Sequence, residues 1–213
     1  MKLVVVSERV PLARWILLHL RSKETGTREF REWMRRAGAL LAAHISSELE
    51  WVEKRVTTPL EAEAVELEPR NPPLLVGVLG ASLSLLEGFE TLYPGAPIGL
   101  VAARRVEEGD SVDIRVYYER LPSRHEGPVV IIDPMLATGY TVGAVVDLLR
   151  ERGMGPLIVA AVIASRPGIT YLESLGGVTA VYTLALDPLL DSRFFIVPGL
   201  GDAGDRSLGV TPL

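Results

Sequence analysis

The chain has 213 residues, a formal net charge of −5, 48% hydrophobic residues and 23% charged residues. These values are ordinary for a soluble globular domain and exclude disorder as a description of the whole chain. The sequence contains no cysteine, which excludes disulfides, cysteine-ligated metals and a cysteine nucleophile. The negative charge argues against a general nucleic-acid binder, because such proteins need a basic face. No stretch approaches the roughly 20 apolar residues that span a bilayer, and the amino terminus lacks a signal-like apolar run, so we expect a cytoplasmic protein without membrane contact.

Residue usage also hints at the source of the protein. There is no glutamine and a single asparagine, Asn71, in addition to the missing cysteine. Depletion of such thermolabile residues is one signature of proteins from hyperthermophiles. The composition therefore predicts a thermophilic source.

The amino-terminal part of the chain predicts two helices and a hairpin. Residues Pro11–Lys23 read as the first helix, because proline suits a first-turn position. A longer helix with Thr27 as its N-cap follows, since apolar residues recur at helical spacing as far as Ile45. Between Val52 and Leu67 the pattern loosens to alternation, which predicts an irregular β-hairpin or arm.

The middle of the chain alternates short apolar runs with helical patterns. Such runs indicate parallel strands that are covered by helices on both faces. The class is therefore α/β, with one five-stranded, doubly wound parallel sheet. The five predicted strands are Leu74–Leu79, Ile98–Ala102, Val129–Ile132, Leu157–Ala164 and Val178–Leu184. Helices are predicted at Leu83–Leu92, Val142–Arg150 and Ile169–Leu175.

Two segments depart from this rhythm. Residues 104–122 alternate in hydrophobicity and predict an antiparallel strand. Residues 192–213 form a glycine-rich tail. No linker or repeat interrupts the chain, so residues 1–213 are predicted to form a single domain.

The strongest chemical signal lies where the third predicted strand ends. Asp133 follows four apolar residues, and Thr138-Gly139-Tyr140-Thr141 leads into the next helix. Loops at the carboxyl ends of parallel strands open into the ligand crevice, and a helix N-terminus favours a phosphate. The two threonines add hydroxyl donors, while Asp133 can accept hydrogen bonds from ribose hydroxyls. The segment predicts a ribose-5-phosphate cradle, and it lacks the Lys-Ser/Thr pair of a P-loop.

The segment 133–139 also resembles the phosphate loop of type I phosphoribosyltransferases, and specifically that of the uracil phosphoribosyltransferase family. The tail Val197-Pro198-Gly199-Leu200-Gly201-Asp202-Ala203-Gly204-Asp205-Arg206 is similar to the uracil-binding segment of that family. Thr27-Arg28-Glu29-Phe30-Arg31 fits the family as well. The resemblance runs nearly end to end. It implies transfer of phosphoribosyl from phosphoribosyl pyrophosphate (PRPP) to uracil, giving UMP and pyrophosphate.

The resemblance also implies an architecture and a set of site residues. The fold would be that of type I phosphoribosyltransferases, with a C-terminal hood formed by 192–213 and N-terminal elements, and a β-arm at about 104–122. Catalytic roles fall on Asp133, Asp202 and Arg105. The implied PRPP-binding residues are Arg105, Asp133, Pro134, Met135, Leu136, Ala137, Thr138, Gly139, Tyr140, Thr141 and Asp202. The implied uracil-binding residues are Ile196, Gly201, Asp202 and Ala203.

Further expectations follow from the family. Mg²⁺ is the expected cofactor, held by PRPP and water without a protein metal site, because it binds through few protein ligands. GTP and CTP are the effectors to which some family members respond. A homodimer or homotetramer is expected as the assembly.

Two positions depart from the family pattern. The family carries a pyrophosphate-binding arginine in a Leu-Arg-Ala-Gly pattern, and here Gly80 takes its place. The second family arginine matches Arg105, with Arg104 beside it. We expect Arg104, or an arginine of a neighbouring subunit, to replace part of the lost contact. Tyr140 stands where the family often has glycine, and its side chain is expected to point away from the phosphate.

Two other readings stay open at this point. The chain could use a base other than uracil, in which case a purine would need a roomier hood. Alternatively, Gly80 could mark a catalytically impaired homologue that senses nucleotides. A regulator that binds RNA should display a basic face, and the net charge speaks against that.

Overall fold

The computed structural model describes residues 1–108 and 111–210, and it describes the side chains of those residues outside 104–113. Most strands belong to one eight-stranded sheet, in the order β1-β10-β9-β7-β4-β5-β6, with the short β8 beside β9. The strands of this sheet are β1 (Lys2–Val5), β4 (Leu74–Val78), β5 (Ile98–Glu108), β6 (Ser111–Arg120), β7 (Val129–Ile132), β8 (Met135–Leu136), β9 (Leu157–Ser165) and β10 (Val178–Asp187). Two small antiparallel sheets pair β2 (Trp51–Thr57) with β3 (Glu63–Pro69), and β11 (Leu189–Leu190) with β12 (Ile196–Val197).

The predicted α/β class and parallel sheet are confirmed. All five predicted strands are present and pair in parallel, and β5 is longer than predicted because it continues to Glu108. The structure adds β1 as a further parallel strand at the edge, beside β10. Among the described strands of the eight-stranded sheet, β6 is the one that runs antiparallel. It pairs with β5, as the alternation within 104–122 predicted. The predicted hairpin at 52–67 is present as the antiparallel pair of β2 and β3.

Helices cover both faces of the sheet. They are α1 (Pro11–Arg21), α2 (Thr27–Ile45), α3 (Leu83–Glu90), α4 (Tyr140–Glu151), α5 (Arg166–Leu175) and α6 (Ala203–Leu208). The helix predicted to be capped by Thr27 instead has Gly26 as its N-cap, without a side-chain hydrogen bond. Thr27 is therefore the first helical residue, which corrects the predicted cap by one position.

Alternation along the buried strands divides the core into two layers. Val130 and Ile132 of β7 pack in the layer that contains α1, α2 and α3. Val129 and Ile131 pack in the other layer, with α4 and α5. Successive side chains of a strand point to opposite faces, so one apolar run can support both layers.

The order of the strands places a crevice between β4 and β7. From β4 the chain proceeds to β5 on one side, and from β7 it proceeds to β9 and β10 on the other side. Open parallel sheets bind ligands outside the carboxyl ends of the strands at such a switch point. The loops that follow β4 and β7 begin at Leu79 and Asp133, so both open into this crevice. Across residues 1–108 and 111–210, no helix is both long and apolar enough to cross a membrane.

Candidate active site

A small cavity of about 60 Å³ lies over the amino terminus of α4. Gly139 caps this helix with φ of +85°, and the backbone N–H groups of the first turn have no partner within the helix. Free N–H groups and the positive end of the helix dipole together favour an anion. The cavity is lined by Asp133, Met135, Leu136, Ala137, Thr138, Gly139, Thr141 and Val142.

The conformation of this loop requires glycine at 139. Its positive φ is unfavourable for other residues, and a Cβ there would lie 2.8 Å from Tyr171 Cδ1 of α5. Tyr171 also packs against Gly143, one turn further along α4. The ring therefore supports the loop from the side opposite the cavity.

A buried hydroxyl group ties the same loop to α5. Ser165 is fully buried, and its Oγ donates a hydrogen bond to the carbonyl oxygen of Ala137 at 2.5 Å. Oγ also accepts a hydrogen bond from Gly168 N at 2.9 Å, so Ser165 is the N-cap of α5. The Ala137 carbonyl is thus bound on the protein side, and of the N–H groups that follow, that of Tyr140 donates to Thr138 Oγ1 at 3.4 Å.

Asp133 stands at the mouth of the cavity with few partners for its charge. Its Oδ1 accepts a hydrogen bond from Met135 N at 3.2 Å. Burial raises the pKa of this carboxyl from 3.8 to about 6, and the hydrogen bond from Met135 opposes the rise. A desolvated carboxylate of this kind is a strong acceptor for hydroxyl groups of a ligand.

A second pocket of about 300 Å³ adjoins the phosphate-sized cavity. The two cavities share Asp133, Met135 and Thr141. The second pocket extends to the loop after β4 and to the glycine-rich tail. Its other lining residues are Val78, Leu79, Gly80, Ala81, Ala103, Asp202, Ala203 and Gly204. The crevice thus joins a phosphate-sized end, a carboxylate and a loop rich in backbone donors and acceptors.

The charges described around this crevice are acidic. Among the lining residues whose side chains the structure describes, the charged ones are Asp133 and Asp202. The Asp202 carboxylate also caps α6, where Oδ1 accepts a hydrogen bond from Asp205 N at 2.9 Å. Within the described part of the chain, no three His, Cys, Asp or Glu side chains are grouped so as to hold a metal ion.

The structure brings together most of the residues that the sequence indicated. From the loop after β7, Tyr140 and Pro134 are the exceptions. The Tyr140 side chain packs edge-on against Tyr171, with ring centroids 4.8 Å apart, and lines a different groove. Pro134 is buried, and its carbonyl accepts hydrogen bonds from Val162 and Ile163 of β9.

The residues predicted to bind the base do not all line the crevice. Asp202 and Ala203 line the crevice, whereas Ile196 and Gly201 do not line either cavity. Ile196 is buried, and its carbonyl oxygen lies close to Gly199, where a Cβ would be 2.0 Å from it. The side chains of Arg104 and Arg105 lie outside the described residues, although Ala103, just before them on β5, lines the second pocket.

Several residues that contact the loop and the tail of the site were not predicted from the sequence. Ser165 could have been found as an N-cap, because it precedes Arg166-Pro167 at the start of a helical pattern. Gly204 lies within the tail motif but had no assigned role. Arg21 and Asp187 also contact the tail, at Gly199, and no local sequence signal marks that contact.

Comparison with known proteins assigns the chain to a family. A family model described as uracil phosphoribosyltransferase matches residues 6–209. The chain is similar to the uracil phosphoribosyltransferase of Aeropyrum pernix, with 56% identity over 98% of this chain and 97% of the relative. It is also similar to the uracil phosphoribosyltransferase of Pyrobaculum arsenaticum, with 39% identity over 92% of this chain and 94% of the relative.

Solved structures agree on the fold. A protein from Aquifex aeolicus superposes with a TM-score of 0.89 at 27% identity, covering 99% of this chain and 100% of that one. A hypoxanthine phosphoribosyltransferase from Staphylococcus aureus superposes with a TM-score of 0.54 at 16% identity, covering 86% of this chain and 91% of that one. The second likeness concerns the fold alone, and it agrees with the type I phosphoribosyltransferase architecture.

Proposed function

The chain belongs to the uracil phosphoribosyltransferase family, and we propose that it transfers phosphoribosyl from PRPP to uracil, forming UMP and pyrophosphate. One observation carries the proposal. The phosphate-sized cavity over α4 shares lining residues with a pocket that reaches both the loop after β4 and the glycine-rich tail. Phosphate, ribose, pyrophosphate and base each have a place along that crevice.

The 5′-phosphate binds to the loop at 137–141, where the α4 amino terminus and the hydroxyls of Thr138 and Thr141 donate hydrogen bonds. Asp133 accepts hydrogen bonds from the ribose hydroxyls and fixes the sugar. The pyrophosphate then lies towards Gly80, and Arg105 of β5 binds it. Catalysis is mainly orientation and charge stabilisation, as pyrophosphate leaves the ribose C1 while uracil N1 attacks.

The tail selects the base through its backbone. Asp202 and Ala203 line the crevice, and the flanking Gly201 and Ile196 extend the same segment. Uracil presents a donor at N3 between two carbonyl acceptors, which exposed backbone groups can complement. Cytosine carries an amine in place of one carbonyl and would leave a buried donor unpaired. Mismatches of this type can reduce kcat/KM for the wrong base by on the order of 10⁴-fold.

The residues of the crevice fit Mg²⁺ as a cofactor that binds with the substrate. Two carboxylates, Asp133 and Asp202, face a pocket in which PRPP would place several negative charges. Mg²⁺ prefers oxygen ligands and retains waters, so PRPP oxygens and water suffice as its inner ligands. When bound, the ion neutralises charge on the leaving pyrophosphate.

The proposal is tested by incubating the protein with PRPP, Mg²⁺ and labelled uracil, at ambient and at high temperature. UMP is the expected product, and parallel reactions with cytosine and hypoxanthine should give none. An Asp133→Asn variant is the control for the site, and Asp147→Asn, an exposed aspartate on α4, is its matched surface control. Nucleotide formed from hypoxanthine but not from uracil would favour a phosphoribosyltransferase for another base.

A second candidate function rests on Gly80. A phosphate-contacting arginine contributes roughly 1.5–3 kcal/mol, so its loss could leave a protein that binds UMP without efficient turnover. Such a protein would act as a nucleotide sensor. Gly80→Arg distinguishes the two, because a side chain fits there: among the described residues, a Cβ would have Leu208 Cδ1 as its neighbour within 4 Å, at 3.7 Å. If the protein is an enzyme, the wild type already forms UMP and Gly80→Arg has a lower KM for PRPP. If it is a sensor, the wild type binds UMP but does not form it.

The remaining family expectations belong to the same proposal. The whole chain would act as one domain, with residues 192–213 and the amino-terminal helices as its hood. Contacts between the two support this, since Arg31 donates to the Leu208 carbonyl and the Arg206 guanidinium lies 4.2 Å from the Phe30 ring centroid. GTP and CTP are proposed as effectors on family likeness alone. Assay of UMP formation with each nucleotide tests them.

A homodimer or homotetramer is proposed as the assembly. The hairpin of β2 and β3 projects from the sheet with exposed apolar side chains, and Leu60 at its tip is 88% exposed. Single exposed leucines are common, but several on one projecting hairpin favour contact with a partner subunit. Sedimentation velocity of the wild type and of Leu60→Ser tests this assignment.

A cytoplasmic location and a thermophilic source stay proposals on composition, and a melting temperature above about 90 °C would support the thermophilic source.

A further inference from the structure

The tail that reads the base is held by two arginines at adjacent carbonyl groups. Nη1 of Arg21 donates a hydrogen bond to the Gly199 carbonyl at 2.7 Å. Nη1 of Arg206 donates to the next carbonyl, that of Leu200, also at 2.7 Å. Both guanidinium groups therefore bind the segment immediately before Gly201 and Asp202.

The first arginine acts together with a buried aspartate. Arg21 ends α1, Asp187 ends β10, and the two form a two-pronged ion pair with distances of 2.6 and 2.8 Å. Asp187 is only 4% exposed, and its Oδ2 also accepts a hydrogen bond from Gly199 N at 2.9 Å. The peptide groups on both sides of the Gly199 Cα are thus fixed, one through its N–H and the other through its C=O.

No residue other than glycine fits at position 199 in this conformation. Its φ is +64°, and a Cβ would lie 2.0 Å from the carbonyl oxygen of Ile196. The turn is therefore tight, and the ion pair holds it from the protein side. Two-pronged guanidinium–carboxylate pairs fix orientation as well as distance, which suits them to this role.

The second arginine joins the tail to the loop between α1 and α2. Arg206 donates to the Leu20 carbonyl as well as to that of Leu200. Its Nη2 donates to the carbonyls of Ser22 at 2.6 Å and Thr25 at 3.4 Å. The same end of α1 thus supplies Arg21 to one side of the tail and accepts Arg206 from the other side.

We propose that Arg21, Asp187 and Arg206 are positioning residues for base recognition. By binding the carbonyls of Gly199 and Leu200, the two arginines withdraw them from the crevice, so that the peptide groups from Gly201 onward meet the base. None of the three side chains lines the crevice, so each acts through the tail. The inference rests on the proposed function and adds to it the device that sets the shape of the base subsite.

The test compares a ligand that contains the base with one that lacks it. Equilibrium binding of UMP and of ribose 5-phosphate is measured for the wild type, Arg21→Gln and Arg206→Gln. Arg14→Gln is the matched control, because Arg14 is an exposed arginine on the same helix. For Arg21→Gln and Arg206→Gln, we expect UMP affinity to fall at least tenfold while ribose 5-phosphate affinity changes less than twofold. KM for uracil should rise similarly, with KM for PRPP unchanged, and Arg14→Gln should match the wild type.

Removal of Arg21 alone leaves the Asp187 carboxylate buried without its cation, which can prevent folding. The double variant Arg21→Gln with Asp187→Asn carries no unpaired buried charge and still offers an oxygen to Gly199 N. The same selective loss of UMP binding is expected for it. Equal loss of both ligands, or unchanged UMP binding in folded variants, would overturn the positioning role. A wild type that binds ribose 5-phosphate but neither binds nor forms UMP would instead refute the proposed function.

Discussion

Replacement of Asp133 by asparagine is expected to stabilise the fold while it impairs the site. Burial raises the pKa of this carboxyl from 3.8 to about 6, so the folded state binds its proton more tightly than the unfolded state does. The contribution of this carboxyl to the free energy of unfolding is therefore fully present below about pH 4 and is lost as the pH rises through about 6. Since one pKa unit corresponds to about 1.4 kcal/mol, the ionised carboxylate costs the folded state about 3 kcal/mol at neutral pH.

Asparagine removes the charge but keeps an oxygen that can accept the hydrogen bond from Met135 N. Its amide hydrogens need partners of their own, so we expect a gain of about 1–3 kcal/mol at pH 8. For a chain of this size, that gain corresponds to roughly 3–10 °C in melting temperature. Activity should move the opposite way, with kcat/KM for PRPP falling about 10- to 100-fold because a charged acceptor for ribose hydroxyls is lost.

The assay is thermal and denaturant unfolding of the wild type and Asp133→Asn between pH 3.5 and 8. The difference in unfolding free energy should be near zero at pH 3.5 and level off above about pH 7. Asp147→Asn on the exposed face of α4 should show no such rise. In the wild type, kcat/KM for PRPP should decline below about pH 6. A stability difference that does not vary with pH, or an asparagine variant less stable than the wild type at pH 8, would refute the reasoning.

Three further predictions concern the phosphate loop. Ser165→Ala leaves the Ala137 carbonyl without its hydrogen bond, so we expect a loss of about 1–3 kcal/mol in unfolding free energy and a higher KM for PRPP. Gly139→Ala places a methyl group against Tyr171 at a positive φ, and PRPP binding measured by calorimetry should become undetectable. Tyr140→Ala should leave KM for PRPP within about twofold of the wild type, because its ring faces away from the cavity; a larger change would show that the ring reaches the substrate.

Contiguous features of the fold and site could be predicted from the sequence. The buried strand at Val129–Ile132 is a short apolar run, and the loop that follows it lines the cavity over α4 with residues that are close together in the sequence. β1 escaped prediction because it lies at the sheet edge, is largely exposed and begins with Lys2, so its pattern has no clear period. Only its pairing with β10 makes it a strand. An edge strand is defined by its neighbour more than by its own residues.

The ion pair of Arg21 and Asp187, which holds the tail at Gly199, could not be predicted from the sequence. Arg21 and Asp187 are 166 positions apart, and each is an ordinary charged residue in its local context. The periodicity of α1 marks Arg21 only as polar, and β10 carries no charged residue before Asp187. Their pairing arises because α1 packs beside the end of β10, which is a consequence of the whole topology. Contacts of this kind follow from the fold and cannot be read before it.

Gly80 and the two carboxylates together predict how strongly PRPP binding depends on a divalent cation. The family arginine is absent at Gly80, and the charged side chains described around the crevice, Asp133 and Asp202, repel an anion. We therefore expect pyrophosphate to obtain much of its neutralising charge from Mg²⁺, since each charge-assisted contact that is missing weakens binding about tenfold or more. Binding of PRPP, measured by calorimetry, should disappear in EDTA and return with Mg²⁺. UMP lacks the pyrophosphate, so its affinity should change less than about threefold. Tight binding of PRPP in EDTA would mean that cations of the protein itself, such as Arg105, already compensate for Gly80.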